Sequence, residues 1–120
     1  MIELTKAEER IMLIFWEIKK GFVKDVIEKI EDNPKPPYNT ISSVIRLLVE
    51  KGYLKYKAFG KTYEYYPAIK KSTYRKTQFK KVMSDYFSDS PADLVSYMVQ
   101  EEKLSEEEIK KLKDMINKME

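Results

Sequence analysis

The sequence predicts a mainly α-helical chain carrying one small β-hairpin, and three observations say so. Apolar residues recur at i, i+3, i+4 and i+7 in successive stretches along the 120 residues. Helix-start signatures precede three of those stretches, at Thr5 with Glu8, Ser90-Pro91 with Asp93, and Ser105 with Glu108. Around Gly60 the period changes to two, the pattern of a hairpin.

Thr5 and Glu8 open a first helix that runs from about Thr5 to Lys20, with Ala7, Ile11, Ile14, Phe15 and Ile18 at helical spacing and Gly21 as its stop. Phe15 and Trp16 are expected in the core. Phe22-Val23 is a short extended link, and Val23, Val26, Ile27 and Ile30 then give a second, shorter helix that stops before Asn33-Pro34. Pro34, Lys35, Pro36 and Pro37 cannot continue a helix and form a stiff turn that aims the next element. That element is Tyr38 to Gly52. Ile41, Val44, Ile45 and Leu48 fall on one side of it and Asn39, Ser43, Arg46 and Glu50 on the other, so one face packs and the other is free to touch something.

In the hairpin, Leu54, Tyr56 and Ala58 alternate with Lys55 and Lys57. The chain turns at Phe59-Gly60-Lys61, and Thr62, Glu64 and Tyr66 alternate with Tyr63 and Tyr65. Lys61 therefore sits at the tip. The tyrosines at 53, 56, 63, 65 and 66 are expected to pack against the helical core rather than to form a stacking platform for single strands. Three helices followed by a hairpin is the order of a winged helix-turn-helix, in which the hairpin lies beside the third helix and reaches a neighbouring groove or the phosphates.

Helical spacing returns after Pro67. Phe79, Val82, Met83 and Tyr86 share a face of a segment from about Ser72 to Phe87, whose other face holds Arg75, Lys76, Lys80 and Lys81. Leu94, Val95, Met98 and Val99 follow the Ser90-Pro91 cap, and Ile109, Leu112, Ile116 and Met119 follow Ser105. A fragment this short cannot bury three apolar stripes by itself. Two copies bury each other's, so residues 72–120 are expected to form a three-helix dimerisation domain and residues 1–71 the winged-helix domain. A two-fold homodimer presents two recognition helices and matches a palindromic DNA site with half-sites about 34 Å, or a multiple, apart.

Composition narrows the chemistry. Without a single Cys or His the chain has no disulfide, thiolate nucleophile, imidazole base or Cys/His metal site, and its carboxylates form no recognisable catalytic pair. No enzyme activity, cofactor or metal is expected. No apolar run is long enough to cross a bilayer, and MIELTKAEER has neither the basic nor the apolar region of an export signal, so the expectation is a cytoplasmic protein without membrane insertion. Charge is unevenly spread: residues 1–82 hold 18 Lys/Arg against 10 Asp/Glu, and residues 83–120 hold 5 against 10. From Lys35 to Lys81 there are 12 basic residues and two acidic ones, which points to an anionic partner for the front of the chain.

Individual residues fit double-stranded DNA as that partner. Arg46 on the free face suits a guanine edge or a phosphate, with a solvated surface arginine as the plain alternative. Asn39 suits adenine or serves as a helix cap. Ser42 and Ser43 are small enough for close approach to base edges, and Lys61 suits a phosphate. A winged-helix module that docks another protein without reading DNA is the alternative reading, and the basic block argues against it.

LTKAEERIMLIFWE, VKDVIEKI, YNTISSVIRLLVEKGYL, FGKTYEYYP and SPADLVSYMVQEEKLSEEEIKKL resemble, in this order and over nearly the whole chain, the penicillinase-repressor family, which includes the methicillin-resistance and copper-responsive repressors. The resemblance implies a winged-helix homodimer that binds a palindromic operator and represses transcription, with Asn39, Thr40, Ser42, Ser43 and Arg46 facing the groove and Lys61 at the wing tip. It also implies, from several members, a sensor protease acting upstream that triggers cleavage of the repressor. The copper-responsive members carry a C-terminal cysteine cluster, which this chain lacks. Where the antibiotic-responsive members are cut at an Asn-Phe pair, this chain has Tyr97-Met98.

Overall fold

The computed structural model describes residues 1–118, so Met119 of the last expected stripe lies outside the described residues. The elements are α1 (Lys6–Ile18), α2 (Val23–Lys29), α3 (Tyr38–Glu50), β1 (Leu54–Phe59), β2 (Thr62–Pro67), α4 (Lys71–Phe87), α5 (Pro91–Glu101) and α6 (Glu106–Asn117). This is the winged-helix order followed by C-terminal helices. The chain divides into two compact units, Met1–Arg75 and Lys76–Glu120, with the division inside α4.

In the first unit α1 starts as expected: the Thr5 hydroxyl accepts the Glu8 N–H at 3.1 Å and the Glu8 carboxylate accepts the Thr5 N–H at 2.7 Å. Its buried stripe is Glu8, Ile11, Met12 and Phe15. Of the expected stripe, Ile11 and Phe15 are buried, Ile14 and Ile18 pack against the core, and Ala7 is exposed. The i, i+3, i+4, i+7 series that starts at Glu8 adds Met12 to the core. The helix also ends earlier than Lys20. Lys19 leaves it at φ +73, and Gly21, the expected stop, is instead buried and paired with Tyr65 through Gly21 N–H to Tyr65 O at 2.9 Å and Tyr65 N–H to Gly21 O at 2.8 Å. A Cβ there would lie 2.8 Å from Ile18 Cδ1 and 3.2 Å from Asp25 Cβ, so a larger residue would have to displace these side chains.

The core joins α1 through Ile11, Met12 and Phe15, α2 through Val23 and Val26, and α3 through Ile41, Ile45 and Leu48. Tyr53 and Leu54 close it at the entry to the hairpin. At the far end of α3 the chain turns in a Schellman motif: Gly52, at φ +84, gives its N–H to Val49 O, and Tyr53 gives its N–H to Leu48 O, both at 3.0 Å. Leu48 and Tyr53, the apolar pair that such a motif brings together, are both within the core. The first turn of α4 is fixed to α1 by Tyr74, whose hydroxyl donates to the Glu9 carboxylate and whose ring lies 5.3 Å from Trp16 and 5.9 Å from Tyr53. Trp16 itself is half-buried and donates its indole N–H to Ile69 O at 2.8 Å.

In the second unit the two later caps form as the sequence predicts, Ser90 accepting the Asp93 N–H at 3.1 Å and Ser105 the Glu108 N–H at 3.2 Å. The apolar residues find only partial cover, with Phe87, Leu94, Met98, Leu104, Ile109 and Leu112 half-buried. Met83 is buried, but Phe79, Val82, Tyr86, Val95, Tyr97, Val99, Met115 and Ile116 remain exposed, Tyr86 by 77%. Tyr97 and Met98 lie inside α5.

Candidate functional site

The site is built on α3 and the hairpin, both in the first unit. With Ile41, Ile45 and Leu48 turned into the core, the helical period leaves Asn39, Thr40, Ser43 and Arg46 exposed, and Ser42 half-buried on the edge between the faces. Pro37 is the N-cap of α3 and no side chain caps it, so Asn39 stands in the first turn without the capping role open to it. Ser43 folds back onto its own helix, its hydroxyl donating to Asn39 O at 2.8 Å.

The hairpin pairs antiparallel from Leu54↔Pro67 to Phe59↔Thr62, leaving Gly60 and Lys61 as a two-residue turn. Gly60 has φ +61, as the first central position of a primed hairpin turn requires. Lys61 is exposed at this tip, where the sequence predicts it. The packing expected of all five tyrosines is only partly met. Tyr53 is in the core and Tyr65 is half-buried, but Tyr56, Tyr63 and Tyr66 are exposed. A lone two-stranded sheet has no layer over its outer half, so the rings on one face cover each other: Tyr56 lies 4.8 Å from Tyr63 and 6.0 Å from Tyr65.

Between α3 and the hairpin lies a cleft of about 450 Å³ that brings Ser42, Arg46 and Lys61 together. Asn39, Thr40 and Ser43 are not in its wall; they face outward along α3. The wall also contains Phe22 and Lys24 from the start of α2, Tyr38 from the first turn of α3, and Tyr63 and Tyr65 from β2. Sequence reasoning did not assign these to the site. The signal was available for the hairpin pair, since residues 63 and 65 share a strand face by period two, but the approach of α2 is purely tertiary. Burial pushes the Tyr65 phenol above its ordinary value, the Tyr38 phenol adds to this, and the Arg46 guanidinium opposes it. Among the described residues, Lys24, Arg46 and Lys61 have no carboxylate partner. The cleft is thus positively charged, walled by aromatic rings, and lined otherwise by the hydroxyls of Ser42 and Thr62. No group of carboxylates among the described residues could hold a metal ion.

A second buried feature supports the site from behind. Glu8 is 3% exposed, and its carboxylate accepts from Lys51 Nζ at 2.6 Å, which joins the start of α1 to the residue that caps the end of α3. Burial alone would raise the Glu8 pKa, but the hydrogen bonds from Lys51 and Thr5 and the Lys51 charge outweigh it and hold the carboxyl below the usual range.

Comparison with known proteins agrees with this architecture. The chain is similar to the methicillin resistance regulatory protein MecI of Staphylococcus aureus (strain N315), at 28% identity over 116 residues, 97% of this chain and 94% of the relative. It is similar to the penicillinase repressor of Bacillus licheniformis at 23% identity over 110 residues, 92% of this chain and 86% of the relative. Its fold resembles the solution structure of the DNA binding domain of the repressor BlaI, with a TM-score of 0.51 at 24% identity, covering 58% of this chain and 85% of that one. No helix among the described residues is long and apolar enough to cross a membrane. The sequence profile of the penicillinase repressor matches residues 4–118, and the chain belongs to that family.

Proposed function

We infer that this protein is a homodimeric, sequence-specific transcriptional repressor that binds a palindromic DNA operator in the cytoplasm, with α3 in the major groove and the hairpin on the adjoining backbone. The observation that carries this reading is the division of α3: one face is sealed in the core by Ile41, Ile45 and Leu48, and the other presents Asn39, Thr40, Ser43 and Arg46 beside the exposed Lys61. A helix held rigidly from behind, polar in front and flanked by unpaired cations suits base edges and phosphates. The names of its relatives, a regulatory protein, a penicillinase repressor and a repressor's DNA binding domain, support the same reading.

The dimer belongs to the second unit in this account. Phe79, Val82 and Tyr86 on α4, Val95 and Val99 on α5, and Met115 and Ile116 on α6 are exposed in a single chain, and a second copy is the cover that also duplicates α3. Selection of bound duplexes from a random pool tests the function directly. The expected product is an inverted repeat, bound with steep salt dependence, for which Arg46→Ala costs about 1–3 kcal/mol. Binding to no duplex, or binding indifferent to salt, refutes it.

A further inference from the structure

The cleft between α3 and the hairpin has more aromatic wall than a duplex backbone needs. We propose that it is also a binding site for a flat aromatic anion, such as an aromatic carboxylate, and that this occupant and DNA exclude each other; the exclusion rests on the proposed function, the pocket does not. Its volume of about 450 Å³ is that of a small-molecule site. Phe22, Tyr38, Tyr63 and Tyr65 supply rings from three separate elements. Arg46 and Lys61 supply charge with no carboxylate partner among the described residues.

The wall is preformed. Tyr65 is held by its two backbone hydrogen bonds to Gly21, Tyr63 is packed 4.8 Å from Tyr56, and Phe22 lies 6.0 Å from Phe59. A duplex keeps its bases stacked inside and offers phosphates and sugars to such a cleft, so the rings would have no π partner there. A flat anion uses both halves: its ring lies against the tyrosines and its carboxylate meets the guanidinium in a bidentate pair. Ser42, Arg46 and Lys61 are shared between this pocket and the proposed DNA face, so one occupant displaces the other without any change of fold.

The test titrates the isotope-labelled full chain with 2-naphthoate and, in parallel, with uncharged 2-naphthamide at fixed ionic strength, following backbone amide shifts by NMR. Expected are shifts centred on residues 22–24, 38–46 and 61–65, with the amide and the Arg46→Gln variant each weaker by about 10-fold, the size of a lost charge-assisted contact. Tyr63→Ala, which removes a ring packed on Tyr56, is expected to weaken naphthoate several-fold, with the amide spectrum of the free variant checking that the fold is kept. Equal affinity for acid and amide, or shifts centred on α5 and α6, overturns the pocket. In a second arm naphthoate is added to the chain bound to a selected duplex. Displacement that tracks pocket occupancy supports mutual exclusion, and a duplex retained at saturating naphthoate overturns it. A chain that takes naphthoate in the cleft but holds no duplex supports the pocket while refuting the DNA-binding function.

Discussion

Replacing Glu8 tests how firmly α3 is held. Its carboxylate accepts the Thr5 N–H at 2.7 Å and the Lys51 ammonium at 2.6 Å. Glu8→Ala leaves the Thr5 N–H unpaired at the start of α1, a capping loss of about 1 kcal/mol. It also strips Lys51 of its counter-ion. For a fully buried pair that step costs about 3–5 kcal/mol, but Lys51 keeps 25% of its side-chain surface and a bond to Glu3 O at 3.2 Å, so its ammonium rehydrates in part. A total of about 2–4 kcal/mol is expected, and in a unit of this size 2 kcal/mol alone lowers Tm by roughly 8–16 °C. A double-mutant cycle with Lys51→Met isolates the pair, with an expected coupling of about 1–3 kcal/mol. The pH dependence has a definite sign. Because the folded pKa of Glu8 lies below its ordinary 4.5, the contribution is fully present above that value and is lost as pH falls below it through the folded pKa. Denaturant melts of the four proteins at pH 7 and pH 3 measure all of this. A loss under 0.5 kcal/mol for Glu8→Ala, or a coupling unchanged at pH 3, would refute the argument.

Other substitutions separate fold from contact. Ile45→Ala, at a side chain with no exposed surface, removes a core contact behind α3 and is expected to cost about 2–5 kcal/mol in denaturant melts. Gly52→Ala meets no neighbouring atom but must hold φ +84, so a loss of about 1–2 kcal/mol with an unchanged fold is expected by calorimetry and circular dichroism. Lys61→Ala is expected to weaken binding evenly across duplex sequences and to reduce the slope of log K against log salt by about 1, measured by fluorescence anisotropy. A change in sequence preference instead would place Lys61 at a base.

The elements were legible because each carried a local signal. Ile41, Ile45 and Leu48 repeat at the helical period, Gly52 and Gly60 mark the two turns that need positive φ, and Ser90 and Ser105 announce their helices. What could not be read was tertiary. Glu8 looked like a capping residue alone, and only its partner 43 positions away explains why a carboxylate lies in an apolar stripe. Gly21 looked like a helix stop, whereas it lies beyond the end of α1 and pairs through its backbone with Tyr65. The site divided in the same way: Arg46 and Lys61 were evident from face and turn, while Phe22, Lys24 and Tyr38 reach the cleft only through the packing of α2 beside α3.

The pairing of Gly21 with Tyr65 also bears on how the hairpin behaves as a tool. A two-stranded ribbon attached only at its base would sweep through a range of tilts, and any encounter would have to freeze one of them. Here the return strand is stitched at mid-length to the link between α1 and α2 by two backbone bonds of 2.8 and 2.9 Å. These two bonds narrow the range of tilts open to the ribbon beside α3, so less orientational entropy is left to lose on contact than for a hairpin held at its base alone.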